Sequence, residues 1–106
     1  MAKEEAPDIT RGPHAQARHD AMVALQAARY KARGYEVAAE LDGWPAPAPV
    51  DGQVPDLVAT RGDEVIVVEV ETEDTLAGKE YGAEHKAFRK WKEQVPKARD
   101  YKMVIA

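Results

Sequence analysis

The stretch PDLVATRGDEVIVVEVETED, residues 55–74, decides the predicted fold. It reads as a β-hairpin, with a short strand at residues 57–60, a turn at 61–63 and a longer strand at 64–72. The longer strand is rich in β-branched residues, which pack well on the pleated surface of a sheet. We therefore expect this hairpin to form the centre of a sheet.

Two of the last four residues of the longer strand are glutamates, where apolar residues would pack better. Because side chains alternate across a strand, Glu69 and Glu71 point to the same face, about 6.6 to 6.8 Å apart along it. Asp56 lies at the beginning of the antiparallel neighbour, beside the end of the longer strand. The sequence therefore predicts that three carboxylates converge at one end of the hairpin.

Carboxylates held this closely repel one another unless a cation neutralises them. Oxygen ligands completed by water suit Mg²⁺ or Mn²⁺, which favours a hard-metal site. In the alternative interpretation the strand ends at the rim of the sheet. Glu69 and Glu71 then reach solvent or pair with Arg89 or Lys90, since ion-pair networks also cluster carboxylates.

A helix and a strand are predicted before the hairpin. Gly12 and Pro13 suit a helix start, and Gly34 suits its end. The packed face of this helix is predicted to be a stripe of mostly small residues at helical spacing: Ala17, Ala21, Ala24, Leu25, Ala28 and Ala32. Residues 35–41 alternate as a strand, which forms a meander with the hairpin.

A second helix and a final strand are predicted after the hairpin. The helix runs from residue 83 or 84 to about 95, with an apolar face formed by Ala87, Trp91 and Val95. The strand at residues 101–106 follows a helical crossover and is therefore expected to be parallel to the third strand. The predicted fold is α/β in the order α-β-β-β-α-β, a mixed sheet flanked by helices.

Length and composition restrict the class of protein. A chain of 106 residues forms one domain with one core, and we assign it to residues 13–106, after a charged tail at residues 1–12. The absence of cysteine excludes disulfides, thiolate metal sites and a cysteine nucleophile. The chain has neither a signal-peptide pattern nor 18 consecutive apolar residues, so we expect a cytoplasmic protein without a membrane segment.

The net charge of −4 is unevenly distributed along the chain. Residues 34–76 carry eleven acidic residues and one basic residue, whereas residues 85–102 carry seven basic residues and two acidic ones. Residues 11–33 are also basic. Clustered basic residues favour contact with nucleic-acid phosphates. The candidates on the second helix are Lys86, Arg89, Lys90 and Lys92, and the alternative for each is an exposed, solvated position.

Pro55-Asp56, followed by Glu69-Val70-Glu71 on the next strand in this element order, resembles the PD-(D/E)xK nuclease superfamily of restriction-endonuclease-like proteins. The resemblance covers about residues 13–106. It implies a nuclease in which Asp56 and Glu69 bind a metal ion, Mg²⁺ or Mn²⁺. Glu71 occupies the position where the superfamily usually has lysine, although some of its restriction endonucleases have glutamate there.

Glu71 can serve as a general base or a further ligand, but it cannot bring the positive charge of a lysine to the scissile phosphate. Lys86 or Lys90, on the following helix, could bring that charge from another direction. Some members that resemble Holliday-junction resolvases also use an acid from the first helix. Asp20 is the only acid there, and we interpret it as an exposed residue beside the alanine stripe.

Other motifs indicate little chemistry. His14 and His19 are five residues apart, so they do not form a zinc-binding pair on one helical face. His85 opens the basic helix, where it is expected to contact solvent or phosphate. Trp44, in a proline-rich loop, either stacks on a base or covers the core.

Two hypotheses follow from the sequence. The first is a metal-dependent endonuclease with Asp56, Glu69 and Glu71 as catalytic residues, which acts on nucleic acid, with DNA as the expected substrate. A two-fold homodimer would be the simplest way for so small a protein to cut both strands. The second is a nuclease-fold domain without catalysis, which binds nucleic acid or a protein partner.

Overall fold

Within the described residues, two helices and four strands follow one another in the order that the sequence predicts. The computed structural model describes residues 11–76 and 79–106, without the side chains of residues 79–81. Most of the predicted tail, residues 1–12, lies outside the described residues. The elements are α1 Pro13–Ala32, β1 Glu36–Ala39, β2 Leu57–Arg61, β3 Glu64–Glu71, α2 Lys79–Gln94 and β4 Arg99–Ile105.

The four strands form one mixed sheet in the order β1-β2-β3-β4. β2 is antiparallel to both β1 and β3, and β4 is parallel to β3, as predicted for a strand that follows a helical crossover. Gly62 makes the tight turn between β2 and β3 at a φ of 58°, in the left-handed region that favours glycine. Leu57 pairs with Val68, so Asp56 comes to lie beside Glu69.

A hydrophobic cluster covers each face of the sheet. On one face α1 packs through Val23, Ala27 and Tyr30 against the alternate β3 residues Ile66, Val68 and Val70. On the other face Phe88 and Trp91 of α2 pack against Val67. Burial of these apolar surfaces holds the two helices on the sheet. The predicted α/β architecture, with helices flanking a mixed sheet, is confirmed.

The prediction that the alanine stripe forms the packed face of α1 is wrong. Leu25 is 43 % exposed and the five alanines of the stripe are exposed as well. The buried face instead comprises Ala15, His19, Val23, Ala27 and Tyr30. Both faces show helical spacing, but valine and tyrosine bury more apolar area than alanine, so packing favours the face that carries them.

Smaller differences between prediction and structure concern α2. The helix begins at Lys79, before the predicted start, and includes Gly82. Trp91 is buried as predicted, but Val95 lies beyond the helix and is exposed, and Phe88 fills the core because its ring buries more surface than Ala87. Neither helix is long and apolar enough, over its described residues, to cross a membrane.

Candidate active site

Three buried or half-buried carboxylates converge at the end of β3. Glu69 and Glu71 lie on the face of β3 that α2 covers, and they are only 3 % and 4 % exposed. Glu84, in the first half of α2, joins them, and one ligand atom from each of the three lies within 4.8 Å of the others. Glu69 and Glu71 therefore do not reach solvent at the rim of the sheet, and Arg89 pairs with Glu93 instead.

The carboxylate cluster of Glu69, Glu71 and Glu84 fits a divalent cation. Oxygens that are each 2.0 to 2.6 Å from one ion lie at most about 5 Å from one another, which is compatible with the observed spacing. Three carboxylate ligands, with water to complete the shell, are the donor set of a hard cation such as Mg²⁺ or Mn²⁺. Buried carboxylates without a counter-charge are costly, which gives an ion a strong electrostatic reason to bind here.

The titration of these glutamates reflects their crowding. Burial raises the pKa of Glu69 far above its ordinary value, and the negative charges of Asp56 and Glu84 raise it further. Burial also raises the pKa of Glu71, although the hydrogen bond that Thr75 donates and the positive charge of Arg11 oppose this rise. Without a cation the surroundings of Glu69 and Glu71 therefore favour their protonated forms.

Asp56 lies beside Glu69 but turns its carboxylate toward α1. Its backbone N–H donates to Glu69 Oε2 at 2.7 Å, and its own Oδ2 accepts a hydrogen bond from the backbone N–H of Val70 at 2.8 Å. Its Oδ1 lies 3.2 Å from His19 Nε2. The structure thus brings the sequence-predicted residues Asp56, Glu69 and Glu71 together, and it adds Glu84 from α2.

His19 is a site residue that the sequence analysis missed. It is 5 % exposed and lies between two carboxylates, with Nδ1 3.0 Å from Asp20 Oδ1 and Nε2 facing Asp56. The Asp56 contact is short but poorly aligned, because Nε2 has no hydrogen-bond partner within the described residues. Burial lowers the pKa of His19, but the carboxylates of Asp56 and Asp20 outweigh it and raise that pKa above its usual value.

A sequence signal for His19 was present in the helical spacing of His19, Val23 and Ala27, which continues to Tyr30. The alanine stripe on the opposite side obscured it. Asp20 itself remains half-exposed, as predicted, and accepts a hydrogen bond from Gln16 at 2.8 Å while facing His19.

Arg11 and Thr75 contact Glu71, the second glutamate of β3. Thr75 Oγ1 donates a hydrogen bond to Glu71 Oε1 at 2.8 Å, and Arg11 Nη2 lies 3.8 Å from the same oxygen. The Arg11 guanidinium also donates to Thr72 Oγ1 and to the Val70 carbonyl, both at 3.1 Å. Arg11 was not among the sequence-predicted site residues, because it precedes the first helix and is 60 positions away from Glu71.

The residues that are predicted to bind nucleic acid lie on the outer side of α2. Lys86, Arg89 and Lys90 are exposed, and Lys92 lies 3.4 Å from Asp100. A helix turns about 100° per residue, so Lys86 and Lys90 lie on the side of α2 opposite Glu84. The structure therefore does not bring these two lysines to the carboxylate cluster.

Two other candidates from the sequence have defined positions. Trp44 packs against the core on the α1 side, as expected for a side chain that covers the core. It also lines a surface cavity of about 630 Å³ with Asp20, Glu40 and Asp42. His85 Nδ1 lies 3.0 Å from the hydroxyl of Tyr101, at the start of the basic side of α2.

Comparison with protein families gives a match over nearly the whole chain. A family model described as AHJR-like, REase_AHJR-like, matches residues 13–106, which spans every helix and strand of the structure. No curated protein and no solved structure matches the chain. The matched region includes the carboxylate cluster, Asp56 and His19, and it begins two positions after Arg11.

Proposed function

The chain belongs to the AHJR-like family of restriction-endonuclease-like proteins, and from this premise we propose that it is a metal-dependent nuclease. Membership of this family indicates a nuclease, which is a hydrolase of phosphodiester bonds. The observation that carries the metal-dependent form of the proposal is the convergence of Glu69, Glu71 and Glu84 beside Asp56. DNA is the proposed substrate.

Glu69, Glu71 and Glu84 would hold the ion, Mg²⁺ or Mn²⁺. Asp56, which the superfamily resemblance pairs with Glu69 as a ligand, stays in the proposed ligand set because each of its oxygens retains a second lone pair. When bound, the ion supplies Lewis-acid polarisation of a phosphoryl oxygen and a lowered pKa for an attacking water.

The residues around the cluster hold the carboxylates in place. The backbone N–H groups of Asp56 and Val70 fix Glu69 and Asp56 against each other across the two strands. His19 Nε2 faces Asp56 Oδ1 at 3.2 Å, and Thr75 orients one oxygen of Glu71. Side chains positioned in this way lose little conformational entropy when substrate binds, which favours a productive geometry.

Nucleic acid would be held by the basic outer side of α2, through Lys86, Arg89, Lys90 and Lys92. Binding through phosphate contacts releases counterions, so it should weaken steeply as salt is added. A two-fold homodimer and a cytoplasmic location are predictions from the sequence and belong to the same proposal.

The test is a cleavage assay on a panel of single-stranded, duplex and branched DNA and RNA oligonucleotides, with Mg²⁺, Mn²⁺ or EDTA. We expect cleavage of a DNA substrate with either metal and none in EDTA. Glu69→Gln should abolish cleavage, and Glu93→Gln, which changes an exposed acid on α2, should not change it. Binding without cleavage under every condition would refute the nuclease and leave a nucleic-acid-binding module.

A further inference from the structure

The charge balance of the candidate site is unfavourable for an anionic substrate. Asp56 and the carboxylate cluster together place four carboxyl groups at the end of β3, and one divalent ion neutralises only two negative charges. A phosphodiester brings further negative charge, and its cleavage spreads that charge over the phosphoryl oxygens. A fixed cation close to the cluster would relieve the repulsion between these carboxylates and the phosphate of a bound substrate.

Arg11 is the fixed cation next to the carboxylate cluster. Its Nη2 lies 3.8 Å from Glu71 Oε1, whereas Lys86 and Lys90 lie on the far side of α2. His19 faces Asp56 and is 5 % exposed, so its ring is not available to a substrate. Among the described basic side chains around the cluster, Arg11 is thus the one placed to meet a ligand.

The geometry of Arg11 fits a phosphate-binding role. Nε donates to Thr72 Oγ1 and Nη2 donates to the Val70 carbonyl, so two anchors on the end of β3 hold the guanidinium plane. Both anchors are neutral acceptors, and the carboxylate that contacts the guanidinium is Glu71, whose Oε1 lies 3.8 Å from Nη2. Nη1 makes no hydrogen bond within residues 11–76 and 79–106, and the side chain is 19 % exposed. A guanidinium presents a planar set of donors that matches phosphate oxygens.

We propose that Arg11 is a substrate-binding residue that donates from Nη1 to a phosphate oxygen of nucleic acid beside the carboxylate cluster. The proposal rests on the proposed function for the identity of its ligand. Arg11 lies two positions before the matched region, residues 13–106.

The experiment measures binding of a labelled duplex DNA oligonucleotide over a series of salt concentrations in EDTA, by fluorescence anisotropy. Arg11→Gln should weaken binding about tenfold at low salt, because it removes a charge-assisted hydrogen bond. The slope of the logarithm of affinity against the logarithm of salt should fall by about one, which a merely structural role would not cause. Arg29→Gln, which removes the same charge in the last turn of α1, is the matched control and should leave affinity and slope nearly unchanged.

Arg11→Lys covers the case in which Arg11→Gln does not fold. It keeps the charge but loses the two-pronged donor geometry, so we expect binding weakened about threefold with an unchanged salt slope. Wild-type affinity in Arg11→Lys would then overturn the proposal. Wild-type affinity and slope in Arg11→Gln would overturn it directly, as would a wild-type protein that does not bind the duplex.

Cleavage by the same samples in Mg²⁺ separates this proposal from the proposed function. A wild type that binds through Arg11 but does not cleave would refute the nuclease and support Arg11 as a phosphate-binding residue. A wild type that cleaves while Arg11→Gln binds and cleaves equally well would support the nuclease and refute the role of Arg11.

Discussion

Replacement of His19 by alanine tests whether the contact between α1 and Asp56 stabilises the site. The imidazole is 5 % exposed and lies between the carboxylates of Asp56 and Asp20. Removal of one partner of a buried or half-buried polar group typically costs about 1 to 3 kcal/mol, because the remaining group is left uncompensated. Asp56 is partly exposed and keeps its hydrogen bond from Val70, so we expect a loss of about 2 kcal/mol.

The assay is urea unfolding in EDTA, followed by far-UV circular dichroism, with the free energy of unfolding extrapolated to water. His19→Gln retains an N–H donor toward Asp56 and should lose only about 1 kcal/mol. Leu25→Ala, on the exposed side of the same helix, is the control and should change stability by less than about 0.5 kcal/mol.

The electrostatic contribution of His19 to stability can be identified from the pH dependence of the difference in free energy of unfolding between wild type and His19→Ala. The carboxylates of Asp56 and Asp20 raise the pKa of His19 in the folded protein despite its burial, and the nearby Arg11 charge opposes them. A group with a raised folded pKa contributes stability that is fully present below its unfolded pKa, about 6.5, and is lost as the pH rises through the folded value. The difference between wild type and His19→Ala should therefore be larger at about pH 5.5 than at about pH 9.

A double-mutant cycle with Asp56→Asn measures the coupling itself. Because the two side chains face each other at 3.2 Å, the two losses should not add, and the coupling energy should be about 0.5 to 3 kcal/mol. Two results together would refute a stabilising contact between His19 and Asp56. The first is a loss of unfolding free energy in His19→Ala that is no larger than in Leu25→Ala, and the second is additivity in the double-mutant cycle.

Three further predictions concern the carboxylate cluster and the basic side of α2. Glu71→Gln should keep the fold and lose most Mg²⁺-dependent cleavage. In an inactive protein the same substitution would instead only relieve repulsion, which would raise the metal-free free energy of unfolding by about 1 kcal/mol and with it the melting temperature. Glu84→Gln should reduce the rise in melting temperature that Mn²⁺ produces, whereas Glu93→Gln should not, and an equal rise in both would remove Glu84 from the ligand set. Reversal of Arg89 and Lys90 to glutamate should abolish retention on nucleic acid, and unchanged retention would point to a protein partner.

The element order and the position of Asp56 beside Glu69 could be predicted from the sequence because both depend on local rules. β-branched alternation defines β3, Gly62 defines the turn, and a short hairpin allows only a narrow choice of register. Alternation then places Glu69 and Glu71 on one face without any knowledge of the rest of the chain. These features also carry the superfamily resemblance that the family match supports.

The partners of the hairpin carboxylates were decided by tertiary structure. Periodicity identified α1 as a helix but could not choose between its alanine-rich face and the face with His19, since both repeat at helical spacing. That choice depends on which side chains bury more apolar area against β3, and it brings His19 to Asp56 across 37 positions of sequence. Glu84 and Arg11 reach the cluster in the same way, because the packing of α2 and the path of the chain before α1 place them there. Local sequence patterns carry no information on contacts that form only when separate elements pack together.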